Sequence, residues 1–289
     1  VQELDFHGHR CAQINLGPYE LLVTLNAGPR VISLRRDGGP NIMKVYEEDL
    51  QNLAGSEFQL YGGHRLWLAP EVPGFTDEPD NFPVQTENGF SSFDKKHRIR
   101  KTISFALDQD EIVVSHHVRN EGDEACRVAL WALTVLKAGA ICVIPQSAYI
   151  PHGEALLPAR PYVVWTYTRM DDSRVRWGSK TVTLKHDPDK GPFKYGTYID
   201  SGVAAAWVDG FAFIKRFDAD QKAEYADMGC NFETFTREDM LELETLGPLT
   251  DLHADGEAAH IERWRLTAAS APPDEDEACA AWLERLTSG

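Results

Sequence analysis

From its first residues to about position 268 the chain is written in short β-rich runs, each cut off by a turn signal, and this rhythm limits what it can fold into. YELLVTLN (19–26) and RVISLRR (30–36) are separated by Ala27, Gly28 and Pro29. The turn Asp37-Gly38-Gly39-Pro40 then leads into NIMKVY, which reads as a hairpin return. IRKTISFAL and EIVVSHHV flank Asp108-Gln109-Asp110, and AAAWV and FAFIKRF flank Asp209-Gly210, the strongest hairpin signal in the chain. On the order of fifteen to twenty such segments follow one another at the spacing of a β-sandwich. Helical spacing is clear in PDEDEACAAWLERL, where Cys279, Trp282, Leu283 and Leu286 fall on one face, and a helix over about 273–287 is expected. No internal repeat, low-complexity tract or long linker divides the 289 residues, so the expectation is a single all-β domain, 1–289, closed by a short helix.

Charge and cysteine usage exclude several function classes. The formal net charge is −16, the wrong sign for gripping phosphates, so no nucleic-acid partner is expected. The basic run DKKHRIRK (94–101) reads as a solvated strand face. Five scattered cysteines, none in a CxxC pair, form neither a disulfide framework nor a zinc site and suit a reducing compartment. The most apolar stretch, VALWALTVLKAGAICVIP (128–145), is interrupted by Lys137 and is too short for a membrane span. With no signal-like segment after VQELDF, a cytoplasmic protein without a membrane partner is expected. The sequence does not indicate an oligomeric state.

Cofactor chemistry has no support either. GxGxxG, Walker, GxSxG, HExxH and EF-hand patterns are absent, so neither cofactor nor metal is expected. Glu71, Asp77, Glu78 and Asp80 are near enough in sequence to hold a stray cation, but form no ligand motif. What stands out is charge inside apolar β segments. In MLELETLGP (240–248), Glu242 and Glu244 share one strand face and Leu241, Leu243 and Thr245 the other. Such a pair is either an exposed face or part of a site. Lys194 in GPFKYGTY, Lys215 in FAFIKRF and Glu233 in GCNFETF are single charges among aromatics. In YGGHRLWLAPE (61–71) two glycines precede His64, Arg65 and Trp67, a pattern that suits a wall around a polar ligand. Trp67 and Trp131 offer stacking surfaces for a sugar, although packing alone also explains a tryptophan. In EIVVSHHVRN, alternation makes His116 a core histidine and His117 a surface one.

Taken as a set, GPRVISLRRDGGPNI, YGGHRLWLAPE, PDNFPV, HHVRNEGDE, ALWALTVL, FKYGTY and MLELETLGPLTDLHADGEAAHIERWRL resemble the galactose mutarotase-like superfamily. They look closest to a bacterial branch of DUF4380 type related to the aldose 1-epimerases. The resemblance spans about residues 18–268 and implies a β-supersandwich with a sugar-sized cleft on one face.

That resemblance also implies roles. The epimerase general base is a late-strand glutamate followed by a loop and a Gly-Glu, an order similar to LELETLGPL and DGEAAHIERW, so Glu244 matches the base and Glu257 the non-catalytic Gly-Glu. The sugar-holding arginine lies in a segment similar to GGHRL, which points to Arg65. One departure is plain: where epimerases carry an Asn-His motif supplying the general acid, this chain reads LWALTVL, with Trp131 and no histidine. His64 is then the candidate acid, with Lys194 as a second. Arg65, Trp67, Trp131, Lys194, Glu233 and Glu242 are the candidate substrate-binding residues. The expected activity is acid–base chemistry at or near an anomeric carbon, as in an aldose 1-epimerase-like isomerase acting on a small carbohydrate. A sugar lyase on the same scaffold and a non-catalytic carbohydrate-binding protein are the alternatives.

Overall fold

The computed structural model describes residues 2–51 and 59–288. Two large antiparallel sheets stack face to face. The first runs in the order Gln2–Phe6, His9–Leu16, Tyr19–Thr24, Val31–Arg36, His64–Ala69, Cys126–Lys137, Met240–Leu246, Phe232–Arg237, Phe193–Thr197, Tyr162–Val164. The short Thr250–Leu252 strand pairs with the start of Cys126–Lys137. The second runs Val175–Trp177, Thr181–Lys185, Ile141–Pro145, Val203–Val208, Phe211–Phe217, Glu257–Ala268, Glu111–Asn120, Ile99–Asp108, Phe90–Asp94.

Alternation along the strands makes the core. Leu66, Leu68, Leu130, Leu136, Leu241 and Leu243 of the first sheet meet Ile103, Ile112, Val114, Phe213, Trp264 and Leu266 of the second. The central strand Met240–Leu246 is buried on both faces, so the exposed-face reading of Glu242 and Glu244 fails.

The hairpins follow their turn chemistry. Ile99–Asp108 and Glu111–Asn120 pair across Gln109, and Val203–Val208 and Phe211–Phe217 pair across Asp209-Gly210, both in the left-handed region. NIMKVY departs from the expected hairpin return. It contributes only isolated bridges, Met43 to Leu136 and Val45 to Gly62, because Asn41 turns inward and its side chain takes the Leu34 and Met43 backbone amides. DKKHRIRK is a turn over 95–98 between two strands, and Lys101 is buried rather than solvated.

The C-terminal helix is Asp276–Thr287, starting three residues later than the spacing suggests because Glu275 caps it, accepting from the amides of Glu277 and Ala278. Its Cys279, Trp282 and Leu283 cover Val143, Ala205, Ala212 and Ile214 on the outer face of the second sheet.

Two glycines set the entry into the site strand. Tyr61, Gly62 and Gly63 are all left-handed, with φ of 50°, 82° and 68°. A Cβ on Gly62 would stand 2.2 Å from the Lys44 carbonyl oxygen, and one on Gly63 2.2 Å from that of Val31. The close approach expected of this pair is therefore to neighbouring backbone, and it fixes which way His64 and Arg65 point.

Candidate functional site

Five strands of the first sheet place charged and aromatic side chains on the face turned away from the second sheet. Registry decides membership. Arg65 lies opposite Leu133, which lies opposite Glu244, which lies opposite Glu233. Trp67 lies opposite Trp131, and Phe235 opposite both Glu242 and Lys194. Paired residues share a face, so Arg65, Trp67, Trp131, Lys194, Glu233, Glu242 and Glu244 all project to the same side.

Lys194 is the hub. Its Nζ lies 2.7 Å from Glu233 Oε2 and 3.0 Å from Glu244 Oε2. The same ammonium sits 4.5 Å from the Trp131 ring centroid and 4.6 Å from that of Trp165. Burial works to lower the Lys194 pKa, but Glu244 and Glu233 more than reverse this and hold it above the usual lysine range. Trp131 Nε1 donates to Glu244 Oε2 at 2.9 Å, so one oxygen of Glu244 receives two donors. The other, Oε1, is buried with no hydrogen-bond partner, and so is Oε1 of Glu233. Burial, against the pull of Lys194, raises the Glu233 carboxyl well above the ordinary range. Glu242 is pushed up to about 7 by burial and by Glu244, against the opposing pull of Arg65 and Lys194. Arg65 lies over the Trp67 ring, 3.8 Å from its centroid, and burial brings its pKa down to about 10.

His64 does not belong to this group. It is opposite Thr134 in register and projects into the space between the sheets, where it is fully buried. The expectation that it serves as general acid beside Glu244 is corrected by strand alternation: neighbours in sequence face opposite ways. His64 Nε2 lies 2.8 Å from His116 Nε2, and His64 Nδ1 2.9 Å from Thr134 Oγ1. His116 Nδ1 faces the His260 carbonyl oxygen at 2.9 Å. A carbonyl only accepts, so His116 carries its proton on Nδ1 and accepts at Nε2 from His64, which accepts in turn from Thr134. Lys215, the other lysine set among aromatics, lies here too, 2.6 Å from Glu262. Thr245 and the Trp264 indole also donate to Glu262. Burial lowers the pKa of His64, His116 and His260, the last to about 3. The ligand atoms of His64, His116 and Glu262 lie within 4.8 Å of one another. The two imidazole Nε2 atoms are spent on each other and Lys215 supplies the cation for Glu262, so the donor set fits an internally satisfied network better than a metal centre. The sequence identified His116 as core, and His117 on the surface, but not that His64 joins His116.

Among the acids at 71–80, Asp80 pairs with the buried Arg30, and Glu78 with Lys96 at 3.1 Å. Two contributors were not legible in the sequence. Trp165 lies over Lys194, and the Tyr167 hydroxyl, its pKa pushed up to about 12 mainly by burial, feels Lys194, Glu244 and Glu233. Both follow directly on the short strand Tyr162–Val164, in an irregular stretch where strand alternation no longer says which way a side chain points; the β-rich run YVVWTYT was the available signal. From the other side, Ala226 packs on Trp67, Trp131 and Leu246. These covers leave Glu233 and Glu244 without exposed surface.

Neither a protein-family model nor a curated protein sequence matches the chain. Solved structures do. A galactose mutarotase-like protein from Lactobacillus casei superposes with a TM-score of 0.59 at 11% identity, covering 89% of this chain and 100% of the other. A protein provisionally named aldose 1-epimerase from Escherichia coli K12 gives 0.58 at 11%, covering 90% and 99%. A protein provisionally named a mutarotase from Salmonella typhimurium gives 0.55 at 8%, covering 92% and 93%. At such identities the likeness is one of fold: the chain has a galactose mutarotase-like β-sandwich, as its sequence segments implied.

Proposed function

We propose that the protein is a carbohydrate-active enzyme that interconverts the anomers of a neutral sugar, with Glu244 as the general base. The observation that carries this reading is the asymmetry of the Glu244 carboxylate. Oε2 is fixed by Lys194 and Trp131, while buried Oε1 is left as a bare acceptor. A buried acceptor without a donor is costly, and a sugar hydroxyl is a donor of the right kind. Taking the proton from the anomeric hydroxyl is the first half of ring opening.

Trp131 stands where the epimerases of the resembled superfamily carry their Asn-His motif, and here it orients the base instead of supplying an acid. Trp165, half-buried at the edge of the site, offers ring surface to the C–H face of a pyranose, while Trp67 and Trp131 are buried and already carry Arg65 and Lys194 over their rings. Access to Glu244 requires the segment bearing Trp165 and Tyr167 to move aside, since the carboxylate is fully covered.

Charge disfavours the lyase alternative. Lys194 is already shared between Glu233 and Glu244, and the buried Arg65 guanidinium lies over Trp67 and feels Glu242 and Glu244. A uronate carboxylate would enter with no cation free of these acids to receive it. The placement beside the DUF4380-type branch rests on the sequence segments alone.

Exchange spectroscopy between the anomer signals of D-galactose tests the reading. Wild-type protein is expected to accelerate exchange, and Glu244→Gln to lose about 10²–10⁴-fold of that acceleration. Sugar binding with no exchange in the wild type would instead make the chain a carbohydrate-binding protein.

A further inference from the structure

With His64 on the far side of the sheet, ring opening lacks the proton that the ring oxygen must receive. Lys194 does not supply it. Its ammonium is locked between Glu233 and Glu244, and losing its proton would leave two buried carboxylates without a counter-ion. Arg65, a buried guanidinium stacked on Trp67, is too weak an acid for the task.

Glu242 remains. It lies two residues before Glu244 on the same face of the same strand, almost fully buried, so the two carboxyls are neighbours along one strand face. The charged groups around it come from every neighbouring element: Arg65 from His64–Ala69, Lys194 from Phe193–Thr197, Glu233 from Phe232–Arg237 and Glu244 from its own strand. Val135 and Phe235, its direct cross-strand neighbours, are apolar and withhold solvent. Two carboxyls so placed, with little solvent to carry their charge, disfavour ionising together.

Building on the sugar reading above, we propose that Glu242 is the proton donor to the ring oxygen and that Glu242 and Glu244 act as one acid–base pair carrying a single proton. Glu244 removes the proton from the anomeric hydroxyl as the C1–O1 bond becomes a carbonyl. The electron pair of the breaking C1–O5 bond goes to O5, which takes the proton of Glu242. The pair now holds its proton on Glu244, with its charge unchanged. Rotation about C1–C2 and reclosure run the transfers backwards and give the other anomer. O1 and O5 are bonded to the same carbon, so adjacent carboxyls suit them better than groups on opposite walls. Because the pair's charge stays constant, the buried site never has to solvate a second anion.

The donor form disappears as pH rises through the Glu242 pKa of about 7, so galactose anomer exchange by the wild type is expected to fall above that pH. Glu242→Gln keeps the shape but has no proton to give; exchange should drop about 10²-fold or more and the alkaline fall should vanish. A second measurement needs no turnover. In protein labelled with [δ-13C]glutamate, the carboxyl signal missing from both Glu242→Gln and Glu242→Asp should titrate near 7, and should move down in Glu244→Gln while burial holds it above the ordinary glutamate range. The proposal is overturned if that signal titrates at the ordinary glutamate value, or if Glu242→Gln keeps wild-type exchange with its alkaline limb while Glu244→Gln loses it. If Glu244→Gln exchanges galactose as well as the wild type does, or the wild type accelerates nothing, the sugar reading and the donor role both fall. A Glu242 signal still near 7 would then show a shared proton serving structure alone.

Discussion

His64 and Arg65 are adjacent in sequence and belong to two different buried polar systems. The imidazole lies 2.8 Å from His116 between the sheets, and the guanidinium lies over Trp67 on the opposite face of the same strand. Substituting one therefore tests a different part of the molecule from substituting the other. His64→Ala leaves the Thr134 hydroxyl and His116 Nε2 without partners and opens a void between the sheets. It is expected to cost roughly 2–4 kcal/mol in urea unfolding, the scale of a buried polar partner lost together with volume. Arg65→Met, which keeps most of the apolar stem, should cost less stability and chiefly weaken sugar binding. Equal losses of stability for the two would argue against separate systems.

Lys194 carries the larger electrostatic load. Lys194→Met leaves Glu233 and Glu244 buried without their shared cation, expected to cost about 3–5 kcal/mol at pH 7. The sign with pH follows. Unpaired buried carboxylates are stabilised by taking up protons, so the deficit relative to wild type should shrink as pH falls from 7 to 5. Lys194→Met/Glu233→Gln should recover part of the loss at pH 7. Parallel urea titrations at the two pH values give the comparison, and a deficit constant with pH would mean that Lys194 serves packing rather than charge.

The difference in legibility between these systems has a physical cause. Strand alternation sorted Glu242 and Glu244 correctly against Leu241 and Leu243, and charges set among aromatics flagged Lys194 and Glu233, because both signals are local. His64 failed for a reason equally local: the tempting pair His64-Arg65 ignored the period of two that was applied to His116 and His117. Reading the face required knowing which side of His64–Ala69 meets the second sheet, and that depends on pairing with residues some seventy positions away. Trp165 and Tyr167 reach Lys194 through an irregular segment, where no periodicity tells which way a side chain points.

Acid sensitivity should begin earlier than the carboxylate range. Burial holds His64, His116 and His260 below the unfolded value of 6.5, so between that value and their lowered ones the unfolded chain binds more protons than the folded one. Stability contributed by the neutral histidines is complete above about 6.5 and is lost as pH falls from there, towards about 3 for His260. Glu262, held low by Lys215 against burial, adds its own loss below 4.5. Glu242 and Glu233 act the other way: with raised pKa values the folded chain binds more protons than the unfolded one above 4.5, up to about 7 for Glu242, so their contribution to stability rises as pH falls and offsets part of the slope. Thermal denaturation from pH 7.5 to 5 should show a falling midpoint, less steep in His260→Gln, whose amide can still donate to Thr245. A flat midpoint over that range would contradict buried neutral histidines.

Gly63 is where fold and site are most tightly joined. It sits at φ 68°, with the Val31 carbonyl oxygen where a Cβ would go, and the chain enters His64–Ala69 directly after it. Gly63→Ala meets two separate penalties, a left-handed backbone and a contact with main chain that has no rotamer to give way. A loss of at least about 2 kcal/mol in unfolding is expected. Gly38→Ala is the matched control: it shares the left-handed conformation, at φ 71°, but has open space around the Cβ position. That variant should cost about 1 kcal/mol, the backbone penalty alone. The difference between the two isolates the steric contact with Val31. If Gly63→Ala folds with the stability of Gly38→Ala, the site strand has slack at its entry, and the opposed facing of His64 and Arg65 is held from elsewhere.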